Sequence, residues 1–105
     1  TPQSQRDLSI SYNRVGDILK GQGDFIGALK MYRKSLVIFE KLNHELGTPE
    51  AENDLATSDT QVGDTLREQE NFADALEMYR KSFVINEKLS HELGTPQSRR
   101  GLAVN

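Results

Sequence analysis

The sequence predicts an all-α chain built of helix hairpins, and three observations predict it. Thr1-Pro2 recurs as Thr48-Pro49 and again as Thr95-Pro96, a period of 47 residues. Apolar residues fall at helical spacing within each period, as Phe25, Ala28, Leu29, Tyr32, Leu36 and Phe39 show. Start and stop signals for two helices sit at the same places in each unit. Between residues 1–47 and 48–94, 27 positions are identical, and in the partial unit 95–105 six of eleven match the first.

The elements follow in order. Thr48 is a suitable N-cap, and Pro49 fits the first helical position, where its missing N–H loses no bond. Glu50 and Glu52 lie near the positive end of the helix dipole. "GQGD" at Gly21–Asp24 and "EQEN" at Glu68–Asn71 interrupt the periodicity, so a turn belongs at each. The second helix of the second unit carries Phe72, Ala75, Leu76, Tyr79 and Phe83 on its apolar stripe. Its first helix is weakly apolar, holding mainly Leu55, Val62 and Leu66. Gly47 and Gly94 read as left-handed C-terminal caps. The organisation is therefore a unit at 1–47, a second at 48–94, and the start of a third, or a capping stub, at 95–105.

"HELGTP" occurs twice, and its His-Glu pair invites a zinc-protease reading. That pattern needs a second His four residues after His44, and Thr48 stands there. His44 and His91 are instead placed in the last turns of helices, where the dipole favours positive charge. No metal or other cofactor is expected. No catalytic residue is expected either. The serines lack a paired His and Asp, Asp17 and Asp64 are a full period apart, and "GQGD" has neither the preceding strand nor the Lys of a phosphate loop.

The chain has 105 residues, 35% hydrophobic and 28% charged, so much of every helix must face water. A formal net charge of −3 gives no electrostatic ground for binding nucleic acid or an anionic membrane. With no Cys there is no disulfide framework, and no apolar run reaches the length of a membrane span or signal-peptide core. The default expectation is a cytoplasmic protein, and a start at Thr1 rather than Met points to a piece of a longer chain. Arg33-Lys34 and Arg80-Lys81 look basic, but they fall on a flank continued by Glu40-Lys41 and Glu87-Lys88, a solvated helix surface.

Inside each unit lies a tighter signature: Tyr12, Val15, Gly16, Leu19, Gly23, Asp24, Phe25, Ala28 and Tyr32, then Val62, Gly63, Leu66, Phe72, Ala75 and Tyr79. It resembles the tetratricopeptide repeat over nearly the whole chain. The small Gly16 and Ala28 would let two helices approach closely. The period is longer than the family's usual one and looks like the extended repeats of kinesin light chains and of many bacterial multi-repeat proteins. The second unit departs at Asp59, where the pattern has a large apolar residue, and at Glu70, where it has Gly. Asp59 is expected to be partly open or paired with a neighbouring Arg.

The resemblance implies a right-handed superhelical solenoid of antiparallel helix hairpins, two full repeats plus the first part of a third. It further implies a protein-interaction scaffold, a piece of a longer array, taking a peptide or protein segment in a concave groove lined by the first helix of each repeat. Mapped onto this sequence, that face holds Ile10, Asn13, Asp17 and Lys20, then Thr57, Thr60, Asp64 and Arg67. Asn13 coincides with an Asn that extended repeats turn toward the ligand backbone; Thr60 departs from it. The basic clamp of members that bind chaperone tails is absent, so a polar or partly basic segment is expected rather than a C-terminal carboxylate. The opposing reading is that these charges only solvate the groove, with Arg14, Asp17 and Lys20 satisfying one another at i, i+3 spacing. The alternative function is self-association, by head-to-tail stacking or exchange of the C-terminal stub with its Leu102 and Val104.

Overall fold

Residues 1–93 are described by a computed structural model, in which four α-helices follow one another: α1 (Pro2–Gly21), α2 (Phe25–Leu46), α3 (Pro49–Glu68) and α4 (Phe72–Leu93). Gly94, with its expected cap, and the partial unit at 95–105 lie outside the described residues. Thr1 and Thr48 begin the odd helices as expected, each side chain accepting the N–H three residues on, Ser4 and Ala51, both at 3.1 Å. Asp24 does the same for α2, accepting the Gly27 N–H at 2.9 Å. Gly47 closes α2 with φ 59°, its N–H donating to the Asn43 carbonyl at 2.8 Å.

The turns within the two hairpins share one geometry. The N–H of Asp24 donates to Leu19 and that of Asn71 to Leu66, each at 2.9 Å. Both turns need a left-handed residue one position earlier. Gly23 supplies it at φ 82°, whereas Glu70 is driven to φ 62° without the freedom of glycine.

α1 packs on α2, α3 on α4, and α2 on α3, so the two hairpins stack into an all-α repeat solenoid. Ala28, Tyr32, Val62, Leu66 and Ala75 form the shared core, with Leu19, Leu29, Leu36, Met78 and Tyr79 packed against it. Within each hairpin a glycine admits a tyrosine ring. A Cβ on Gly16 would stand 2.7 Å from Cε1 of Tyr32, and one on Gly63 2.9 Å from that of Tyr79. Arg6 ties the hairpins together, its Nε donating to Asp54 at 2.9 Å.

Two expectations need correction. The apolar stripe of α4 is only partly core: Ala75 is buried and Tyr79 half-buried, but Phe72, Leu76 and Phe83 are exposed. Asp59 is neither open nor paired with an Arg. Its residue is 3% exposed, and among the described residues it makes no ion pair. Burial pushes its carboxyl up to about 6, Lys81 pulls it down and Glu40 adds to the rise.

Candidate protein-binding groove

α1 and α3 run side by side with a groove of about 620 Å³ between them, floored in part by Phe25 and Tyr32 of α2. Asp17 and Lys20 enter it from α1, Gln61, Asp64 and Glu68 from α3. Three of the eight residues expected on the binding face, Asp17, Lys20 and Asp64, are thus brought together. The other five are not among its lining. Ile10, Asn13 and Thr60 are half-buried, while Thr57 and Arg67 are exposed. Thr60 turns its hydroxyl to the Ala56 carbonyl at 3.0 Å and lies 2.9 Å from the Ser82 hydroxyl. Asn13 Oδ1 is buried with no hydrogen-bond partner among the described residues.

The two aspartates are held in one way. Tyr32 donates its hydroxyl to Oδ1 of Asp17, and Tyr79 donates to Oδ1 of Asp64, each at 2.5 Å and fifteen residues along the chain. Burial first, and then this hydrogen bond, pushes both tyrosine hydroxyls above their ordinary range, so each remains a donor. The tyrosine therefore lies under the helix contact at one end and fixes a groove carboxylate at the other. Sequence reasoning missed this link, although Asp and Tyr at the same spacing in both units were its trace. It also revises the reading in which Arg14, Asp17 and Lys20 neutralise each other: the partner of Asp17 is Tyr32. Only in the second hairpin does an i, i+3 pair form, Arg67 standing 3.8 Å from Asp64.

Asp17, Asp64 and Glu68 outnumber Lys20 in the lining, so the groove is acidic. Oδ2 of both aspartates has no partner among the described residues. No helix among the described residues is long and apolar enough to cross a membrane, and none of their His, Asp and Glu side chains group as metal ligands.

No curated protein sequence matches the chain significantly. A family model described as tetratricopeptide repeat does match, first over residues 9–43 and again over 50–90. Repeats of this kind generally mediate protein–protein contacts and form a non-catalytic scaffold. The two matches fall on the two hairpins in turn and span most of the sequence: the chain belongs to the tetratricopeptide repeat family.

Proposed function

We propose that the chain is an interaction scaffold that takes an extended, polar or basic peptide segment in the groove between α1 and α3. The observation that carries this reading is the paired aspartates. Asp17 and Asp64 are each fixed through one oxygen by a tyrosine, and each keeps the other oxygen free at the groove. Carboxylates held in place lose little freedom on binding, which favours a charged or hydrogen-bonding ligand. Ile10, Thr57 and Arg67 continue the same helix faces and would contact the flanks of a longer segment, whereas Thr60 is engaged with Ser82 of α4 and Asn13 Oδ1 is buried.

Binding of fluorescent extended peptides of basic, neutral and acidic composition tests this, with the Asp17→Asn/Asp64→Asn variant alongside the wild type. Asn still accepts the tyrosine hydroxyl, so the hairpins keep their internal bond while the groove loses charge. Basic peptides should bind best and weaken about tenfold or more in the variant. Equal binding of acidic and basic peptides, or no response to the double substitution, would remove the groove from the account.

A further inference from the structure

Ile26, Lys30, Arg33 and Val37 fall at i, i+4, i+7 and i+11 of α2 and form one stripe along it. The stripe lies away from the core side of the helix, where Ala28, Tyr32, Ser35 and Phe39 are buried. Ile26 is 76% exposed and Val37 64%, although both are large and apolar. With Leu29, Lys34 and Gln69, the last in the turn before α4, they line a groove of about 490 Å³. This opening is not made by the ends of the stack. The helices packed on α2 are α1 and α3, while α4, its counterpart in the second hairpin, makes no comparable packing with it. A hairpin added at either end in the same geometry would pack on α1 or on α4, as α2 packs on α3, and leave the stripe open.

Three cations line this groove and no carboxylate does. Among the described residues, Lys30 and Arg33 make no ion pair. Lys34 stands over the Tyr12 ring, its Nζ 5.6 Å from the centroid. We propose that the stripe docks an acidic amphipathic helix of a partner protein, its carboxylates on Lys30 and Arg33 and its apolar side chains on Ile26 and Val37. The two apolar anchors lie about 16 Å apart along α2, and a helix with the same spacing presents both at once. This does not depend on the reading of the groove between α1 and α3.

The surroundings favour a short segment over an extended polyanion. Glu40 stands three residues beyond Val37, and Glu68 and Glu70 flank Gln69. These carboxylates border the cations and repel a nucleic acid or an anionic lipid surface, while a helix laid on the stripe fits between them. A flat lipid surface would also leave the groove unfilled. The second hairpin does not repeat the site. One period on, α4 carries Ala73, Glu77, Arg80 and Val84, so one apolar anchor and one cation are missing there.

Fluorescence anisotropy on the full chain tests the proposal. The probe is a labelled helical peptide with leucines eleven residues apart and glutamates four and seven residues after the first leucine. The wild type should bind it, and Ile26→Ala/Lys30→Glu, which gives α2 the stripe of α4, should weaken binding about tenfold or more. Both positions are exposed, so the variant should keep the wild-type helical circular dichroism. Lys30→Glu alone should regain binding when one glutamate of the peptide is replaced by lysine, which a loss of folding would not allow. The Asp17→Asn/Asp64→Asn variant should bind the probe as the wild type does; weaker binding would place the peptide between α1 and α3 and overturn the proposal. So would a wild type that does not bind, equal binding of a peptide with lysines for both glutamates, or no response to the stripe variant. Anionic phospholipid vesicles that bind the wild type but not the stripe variant would assign the stripe to a membrane. Mass that rises with concentration in the wild type alone would assign it to a second copy. Either result also overturns the proposal.

Discussion

Tyr32 and Tyr79 occupy the same place in the two hairpins, face a glycine at the same approach and donate to the same aspartate one period apart. Tyr32 is nevertheless buried and Tyr79 only half-buried. The difference comes from what lies beyond each hairpin: α2 is covered by α3, while α4 has no further helix on it among the described residues. The odd helices show the same effect in reverse, with a threonine enclosed in α3 where α1 exposes an isoleucine. Thr65 tolerates burial because its hydroxyl donates to the Gln61 carbonyl at 2.9 Å. In a stacked-repeat chain, a side chain's surroundings depend on the neighbouring repeat as much as on its own polarity.

The largest effect that can break this comparison lies at the glycines. Gly16→Val would drive its side chain into a ring closed in on every side, with an expected loss of about 3 kcal/mol by overpacking. Gly63→Val meets a ring with open space beside it, and about 1 kcal/mol is expected from the same source. Chemical denaturation of both variants gives the two values. Equal losses would mean that the rings are equally confined and that stacking does not set their freedom.

Asp59 sharpens the comparison through pH. In the first hairpin its place is taken by Tyr12, whose ring faces Lys34 with Nζ 5.6 Å from the centroid. Lys81, the equivalent of Lys34, faces a buried carboxyl instead, and Glu40 opposes it from α2. The folded carboxyl titrates at about 6, the unfolded one near ~3.9. The folded state thus holds more protons in that interval, and Asp59 lowers stability as pH rises from about 4 to about 6, with the deficit complete above it. Asp59→Asn should raise stability at pH 8 by about 2 kcal/mol, somewhat less than the full two-unit shift because an amide is also buried there. At pH 4 the two proteins should unfold alike. A gain of the same size at both pH values would assign the effect to packing, not to charge.

The hairpins, their turns and their caps were legible in the sequence because each depends on residues close together in the chain. Thr48-Pro49 and Gly47 act where their local chemistry places them, and Asp24, expected only within a turn, also caps α2. The apolar stripes were legible as periodicity, but not their burial: Leu36 and Phe83 have the same local pattern, and only α3 beside α2 separates them. The groove was visible in part. Asp17 and Asp64 could be assigned to one face by helical spacing, yet their pairing with Tyr32 and Tyr79 depends on the hairpin crossing that Gly16 and Gly63 permit. Asp59 was misread because its burial depends on packing between elements: charged neighbours reach it from α2 (Glu40) and from α4 (Lys81), and the residue is 3% exposed.

The smallest predicted effect concerns the turns. Gly23 and Glu70 adopt the same left-handed conformation, and for a residue with a Cβ that conformation is unfavourable by about 1–2 kcal/mol. Glycine gives part of this back through the greater freedom of the unfolded chain, so Glu70→Gly should stabilise by about 0.5–1 kcal/mol. A second contribution needs separating from the first. Glu70 sits just past the C-terminus of α3, beside Glu68, where the dipole disfavours negative charge. Glu70→Gln removes that charge and keeps the backbone conformation. If Gln gains as much as Gly, the turn's handicap is electrostatic and should fade with added salt. If Gln gains little, the handicap is the left-handed backbone itself, and Gly23→Ala in the other turn should lose what Glu70→Gly gains.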